Sequence, residues 1–280
     1  MLSACGSKSP VISVGSKNTT EQLILGEILA AHLEKQLPGV RIARKLGLGA
    51  ASVVQSAMMS GELDLYVEDI GTMIGTVLKE DVPPEEAIGL ERARAQYQSL
   101  FKLSVLKPLG FHRRFVVMRS ATAGSVAAKF DTLSALADSG KGVRLGVVPD
   151  YADRKDTVMA LTTKYRISLL DSPKQLETAT LYDALSKHTV DLAAGTVSDS
   201  WVGEPEFAVM KDDRTMFPAY ANCILVTNRA LGSIAELQRV LESLSGRIKD
   251  EAVHKMKKDV DLKHRTAAEV AKEFLTAAGL

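Results

Sequence analysis

The stretch Val11–Glu27, VISVGSKNTTEQLILGE, decides the fold class, because it holds a strand, a turn and a helix start in immediate succession. Val11–Val14 is a short apolar run. From Thr20 to about Gln36, apolar Leu23, Ile24, Ile28 and Leu33 recur at the three- to four-residue spacing of a helix. Gly15 makes the joint. After it stand Ser16, Lys17, Asn18 and Thr19, more hydrogen-bonding side chains than a plain turn needs. Thr19 and Gln22 fit a capping box, in which hydroxyl and amide satisfy the free backbone donors of a helix start. Ser16, Lys17 and Asn18 then remain for a ligand, at a helix end whose partial positive charge suits an anion. Gly47-Leu48-Gly49-Ala50-Ala51-Ser52 repeats the arrangement at the next helix start.

The same alternation continues outward. Val40–Leu46 and Leu63–Val67 read as strands, and Ala51–Ser60, Thr72–Leu78 and Glu85–Leu100 as helices. This order predicts an α/β fold with a parallel sheet covered on both faces. The character changes at Lys107-Pro108-Leu109-Gly110. A second set follows, with strands at Phe115–Met118, Val143–Val148, Ile167–Leu170 and Val190–Ala194 among helices near 132–137, 157–165 and 179–187. After a strand at Ala221–Val226 the chain reads as helical, near 234–244, 248–260 and 267–278. Ser56–Asp69 and Asp183–Asp199 echo one another: helix, break, an Asp-Leu strand start, then an acidic residue. Two such lobes would bring Asp69 and Asp199 to a shared cleft, at the carboxyl ends of strands where open α/β sheets bind ligands.

With 280 residues, 46% of them hydrophobic, there is material for one or two cores, and a net charge of +1 gives no basic face for nucleic acid. No apolar run reaches the roughly 20 residues of a membrane span. Leu2-Ser3-Ala4-Cys5-Gly6 resembles the lipobox of bacterial lipoproteins, which implies lipidation at Cys5. Cys223, the other cysteine, lies in an apolar run and reads as a buried small hydrophobe rather than a disulfide partner. The five histidines are scattered, and no nucleophile elbow, Walker loop or metal-ligand spacing occurs. Nothing in these patterns asks for catalysis or for a cofactor, and no enzyme is expected.

Gly15-Ser16-Lys17-Asn18 with Thr20-Glu21-Gln22-Leu23-Ile24-Leu25-Gly26-Glu27 resembles the opening signature of substrate-binding proteins of osmoprotectant ABC importers, which bind glycine betaine, choline or carnitine. The resemblance continues in Gly61–Tyr66 with Gly71-Thr72, in Pro108–Phe111 and in Arg144–Gly146. It goes on in Asp153-Arg154, Val190-Asp191, and Phe217-Pro218 with Tyr220. It implies a type II periplasmic-binding fold, two α/β lobes with a hinged cleft: a tail at 1–10, lobe one at 11–107 plus 219–280, and lobe two at 108–218. It further implies an extracytoplasmic, lipid-anchored protein, a small-molecule solute, and an ABC permease with its ATPase as partners. A ligand-sensor module, or the same fold holding an amino acid or an aromatic betaine, is the alternative.

One departure bears on the ligand. Where the family carries a cage tyrosine this chain has Asp69, and after Gly110-Phe111 it reads His112-Arg113-Arg114. A cation placed over an aromatic ring gains about 0.5–2 kcal/mol, whereas a charge-assisted hydrogen bond of about 1.5–3 kcal/mol needs an N–H on the ligand. The expected site has a cationic end near Asp69, Asp199 and Tyr220, with Tyr66, Tyr151 and Trp201 as further aromatic candidates. Its anionic end is expected near Ser16, Lys17 and Arg154, with Asn18, Thr19, Thr72, His112 and Arg113 alongside.

Overall fold

The computed structural model describes residues 9–280 apart from Ala123 and Asp153, so the expectation for Cys5 lies outside the described residues. Strand β1 (Val11–Gly15), helix α1 (Thr20–Gln36), β2 (Arg41–Lys45), α2 (Ala51–Met59) and β3 (Leu65–Asp69) follow the alternation of the sequence. A π-helical turn, Thr72–Leu78, leads to α3 (Glu86–Gln96) and then to β4 (Leu103–Ser120). Beyond it come α4 (Leu133–Asp138), β5 (Leu145–Val147), α5 (Val158–Thr163), β6 (Lys174–Gln175), α6 (Thr178–Ser186), β7 (Leu192–Thr196) and β8 (Phe207–Val209). The chain returns through β9 (Ala219–Thr227) and closes with α7 (Asn228–Ser233), α8 (Leu237–Glu242), α9 (Asp250–Asp261) and α10 (Ala267–Ala277).

The strands run in the order β2-β1-β3-β9-β4-β7-β5-β6, with β8 beside β4. The parallel sheet expected from the alternation holds for β1–β3 and for β5–β7, but the centre is antiparallel. β4 carries the chain from one half to the other and β9 carries it back, so the two lie side by side in opposite directions. Residues Leu103–Arg114 of β4 pair with β9, and Phe115–Arg119 pair with β7.

The break read at Lys107–Gly110 is internal to this 18-residue strand. Register shifts flank Pro108, so its missing N–H costs no ladder bond. Gly110 has φ +113°, and a Cβ there would meet the backbone of Gly246 at 2.8 Å, which leaves room for glycine alone. Two further expectations are corrected. Ile167–Leu170 contributes a single bridge, Val143–Leu169, and the helix read at 234–244 is only α8, Leu237–Glu242, preceded by a short α7 that the reading did not include.

Strand periodicity explains the layers. In β9, Ala221, Cys223 and Leu225 enter a core under α2 and α3, while Ile224 and Val226 enter the opposite core under α1 and α8–α10. A strand buried on both faces is largely apolar, as the Ala221–Val226 run is apart from the buried Asn222. The second half repeats the plan: Phe115 and Val117 pack with α4 and α5, and Met118 packs with α6.

Candidate functional site

Helices α1, α2 and α6 all begin just past a strand's carboxyl end, and their starts converge on one pocket between the two halves. Asn18, Thr19, Thr20 and Glu21 line it from α1, Ala50 from α2, and Glu177 and Thr178 from α6. Val148, Pro149 and Tyr151 follow β5, Thr196 and Asp199 follow β7, Arg113 comes from β4, and Lys257 and Asp261 come from α9. Its cavity of about 110 Å³ takes several waters, more than a packing defect would.

The opening stretch divides between support and site. Ser16 Oγ accepts from Gly47 N, and Leu48 N donates to Ser16 O, so this loop zips onto the glycine loop before α2. Lys17 is buried and donates to Glu68 Oε1 at 2.7 Å. Burial pushes the Glu68 carboxyl up to about 7. The capping box does not form: Thr19 makes no side-chain cap bond, and Thr19 Oγ1 and both polar atoms of the Gln22 amide have no hydrogen-bond partner. The threonine at this helix start lines the pocket instead of closing on its own backbone.

Asp69 sits beneath the pocket rather than in its wall. It is fully buried and accepts from Thr72 N and Thr72 Oγ1 at 2.8 Å each, and from Arg113 Nη1 at 3.1 Å. Burial opposes its charge, but Arg113, Arg154 and Lys17 outweigh that and hold its carboxyl well below the usual range. Arg113 Nη2 lies 3.5 Å from Glu21 Oε1, and neither Arg113 Nε nor Glu21 Oε1 makes a hydrogen bond. The Arg113 guanidinium also stands 5.6 Å from the Tyr151 ring centre. Arg154 donates to Asp156 through Nε and Nη2 and to Thr72 Oγ1 through Nη1, and Tyr220 OH donates to Asp156 Oδ2 at 2.6 Å. Gly71 passes so close to the Tyr220 ring and to Arg154 that a Cβ there would overlap both, which accounts for the glycine before Thr72.

The facing wall is built on Asp199. Thr196 N and Oγ1, Tyr182 OH and Lys257 Nζ all donate to its carboxylate. Burial opposes its charge as well, and Lys257 with Thr196 keeps the carboxyl low. Ser198 Oγ donates to Glu21 Oε2 at 2.8 Å and Ser200 Oγ to Asp261 Oδ2 at 2.6 Å, so these bonds, with Lys257–Asp199, tie the halves together on this flank. On the other flank Arg154–Thr72 and Lys155–Asp81 do the same. The cleft is closed.

The echo between the halves is physical. Asp64 and Asp191, each just before its strand, accept from a neighbouring backbone N–H, of Ser13 and of Arg144, and each pairs with an arginine, Arg229 and Arg144. Asp69 and Asp199 each bind a threonine three residues away through backbone N–H and hydroxyl.

Of the residues singled out in the sequence, Asn18, Thr19, Arg113, Tyr151 and Asp199 line the pocket, and Thr72, Arg154 and Tyr220 stand behind Arg113 and Tyr151 with Asp69. Ser16 and Lys17 buttress the loop. Tyr66 is packed in the core under α2 and α3. Trp201 stacks on Tyr182, ring centres 4.6 Å apart, outside the pocket lining. His112 points away from Arg113 along the strand, half-exposed, with Nε2 3.0 Å from Glu86. Sequence reasoning missed Glu21, Glu177, Thr196, Lys257 and Asp261. Glu21 lay inside the quoted stretch, and with Asp64 matched to Asp191 the echo sets Thr196 opposite Asp69 and Asp199 opposite Thr72, so the acid and the threonine exchange places between the halves. Lys257 and Asp261 come from a helix some 240 residues downstream of Lys17, with no local signal.

A family model described as the substrate-binding domain of ABC-type glycine betaine transport systems matches residues 10–277. The ergothioneine transport permease/ergothioneine binding protein of Helicobacter pylori strain G27 is 28% identical over 95% of this chain and 47% of its own length, so the chain spans about half of that protein. The carnitine transport binding protein OpuCC of Listeria monocytogenes strain 10403S is 27% identical over 98% of this chain and 91% of its own. The crystal structure of a glycine betaine/carnitine/choline ABC transporter superposes with a TM-score of 0.76 at 24% identity, over 96% of this chain and 98% of that one. The shared architecture is the two-lobed type II periplasmic-binding fold.

Proposed function

The chain belongs to the family of substrate-binding domains of ABC-type glycine betaine transport systems, and from that premise we propose that it captures a zwitterionic metabolite of the betaine class in the pocket at the start of α1. The observation that carries this reading is the lining of one pocket by residues with buried polar atoms that no protein group satisfies: Thr19 Oγ1, Glu21 Oε1 and Arg113 Nε. Buried polar groups are normally paired, so these await a ligand that both donates or carries positive charge and accepts. Four carboxylates line the pocket, Glu21, Glu177, Asp199 and Asp261, against two cations, Arg113 and Lys257. The solute's ammonium faces the carboxylates with Tyr151 beside it. Its carboxylate faces Arg113, Thr19 and the free amides at the starts of α1 and α2.

Lobe one is read as residues 11–107 with 219–280 and lobe two as 108–218, and the change of pairing partner in β4 between Arg114 and Phe115 supports a crossing in this region, a few residues further on. Closure of the lobes hands the solute to an ABC permease powered by its ATPase, on the outer side of the membrane. No helix among the described residues is long and apolar enough to cross a membrane, and attachment falls to a lipid at Cys5. The family binds its solutes and releases them unchanged. The ergothioneine, carnitine and glycine betaine in its members' names share a trimethylammonium and a carboxylate.

A thermal-shift screen tests the reading with glycine betaine, choline, carnitine, histidine betaine and ergothioneine against primary-amine amino acids. A ligand at 100 times its dissociation constant stabilises by about 2.7 kcal/mol, a readily visible shift. At least one betaine is expected to raise the melting temperature. Shifts with primary amines alone, or with none of these compounds, would defeat it.

A further inference from the structure

We propose that one face of α9 is a latch for the cleft: Lys257, Lys258 and Asp261 grip residues 198–204 of the other half, so that side chains outside the pocket lining help to set how tightly a solute is held. The inference rests on contacts between the two halves and not on the identity of the solute.

Three observations carry it. The first is the run of contacts. Lys257 Nζ donates to Ser198 Oγ at 3.3 Å and to Asp199 Oδ1 at 2.8 Å, Ser200 Oγ donates to Asp261 Oδ2 at 2.6 Å, and Lys258 pairs with Glu204. Lys257 and Asp261 stand four residues apart, on one side of the helix. The second is support from behind. The Asp199 carboxylate also accepts from Thr196 and from Tyr182, on which Trp201 stacks, and Val202 N donates to Asp199 O within the same turn. On the opposite side Val253 and Met256 anchor α9 in the core beneath α1, and the second oxygen of Asp261 accepts from Thr20 Oγ1 at 2.6 Å. Each surface is therefore fixed to its own half. The third is the chemistry of the join. Trp201 and Val202 pack with α6 while Val253 and Met256 pack with α1, and among the described residues no apolar cluster links α9 to 198–204. Parting the two surfaces exposes little apolar area and lets each polar group regain water. Such a contact makes and breaks without disturbing either core.

The consequence concerns affinity. When a solute is held by the closed form, its apparent affinity is the intrinsic one scaled by the fraction of molecules that are closed. A bond between the halves raises that fraction without touching the solute. Lys258, Ser200 and Glu204 lie outside the pocket lining. They tune how tightly the cleft holds its solute and leave the choice of solute to the pocket.

Single-molecule energy transfer provides the test, with no solute added. Dyes are placed at Ser56→Cys in α2 and Ser186→Cys in α6, both exposed positions, one in each half, with Cys5→Ser to remove the other reactive thiol and Cys223 buried. The reading is the ratio of open to closed molecules. Lys258→Glu exchanges an attraction to Glu204 for a repulsion and is expected to raise that ratio at least about threefold, and adding Glu204→Lys to bring it back towards the parent value. An unchanged ratio in Lys258→Glu, or a double variant as open as the single one, would overturn the proposal. Should Lys258→Glu fail to fold, Ser200→Ala, which deletes only the bond to Asp261, decides it: a larger open fraction supports the latch and an equal one overturns it. If no betaine binds while the ratio shifts as expected, the ligand-class reading fails and the latch stands.

Discussion

Asp69→Ala removes the carboxylate on which one side of the cleft is organised. The side chain is fully buried and accepts three hydrogen bonds, two from Thr72 and one from Arg113, with Arg154 at 3.9 Å. Its loss leaves Arg113 and Arg154, both nearly buried, without a shared counter-ion. Breaking a buried pair by removing one partner costs about 3–5 kcal/mol. Unfolding entropy scales with chain length at about 2 cal/mol/K per residue, so for this chain that cost lowers Tm by about 5–8 °C. Replacing both partners, as Asp69→Ala with Arg113→Met, is expected to restore part of the loss: Arg113 no longer stays buried without Asp69 and Arg154 keeps Asp156, while Glu21 gives up its pairing with Arg113.

The pH dependence of the same variant has a definite sign. The Asp69 carboxyl is held below its unfolded value of 3.8, so its contribution is fully present above that value and is lost as pH falls through the folded value. Because the Asp69 charge also helps to raise Glu68, the comparison is made in a Glu68→Gln background, where the difference with and without Asp69 should be flat from pH 5 to 8 and shrink only in strong acid. Thermal unfolding followed by circular dichroism across that range measures it. A Tm change under about 1 °C at pH 7 would refute the organising role given to Asp69.

Lys257→Met removes the bond from α9 to Asp199 across the cleft, worth about 1.5–3 kcal/mol as a charge-assisted hydrogen bond. Ligand-free protein should then open measurably, seen as a larger radius of gyration in X-ray scattering, and an unchanged radius would show that closure does not depend on it. Glu68 behaves opposite to Asp69: burial raises it from 4.5 to about 7, so the folded chain holds that proton longer than the unfolded one. Its contribution to stability declines as pH rises from about 4.5 to about 7 and is level above. Glu68→Gln should remove that slope from a plot of unfolding free energy against pH, and a retained slope would assign it to other groups.

The fold was legible where periodicity and turn chemistry agreed, as in β1–α1 and Ala221–Val226. It was illegible where a strand tolerates a proline and a glycine. Lys107–Gly110 reads as a linker because Pro108 and Gly110 are breakers in isolation, yet two register shifts and the close approach of Gly246 make them fit within β4. The site was half legible. Asp199, Arg113 and Tyr151 follow from strand ends and motif positions, but a capping pattern at Thr19 and Gln22 cannot tell a hydroxyl that satisfies its own helix from one left open in a pocket. Asp69 was read as a ligand contact because its charge was visible while its partners were not: Arg113 and Arg154 reach it from 44 and 85 residues away.

The site assignment is tested most directly by isothermal titration of whichever betaine gives the largest melting shift, into wild type and into Glu21→Gln. This variant keeps the shape of a side chain that is 2% exposed, retains an oxygen to accept from Ser198, and exchanges the charge and the other oxygen, Oε1, for a neutral NH2. With the solute's ammonium seated against Glu21 and Asp199, affinity should fall at least about tenfold, the equivalent of 1.4 kcal/mol. Equal affinities for the two proteins would place the ammonium elsewhere and contradict the assignment of the site.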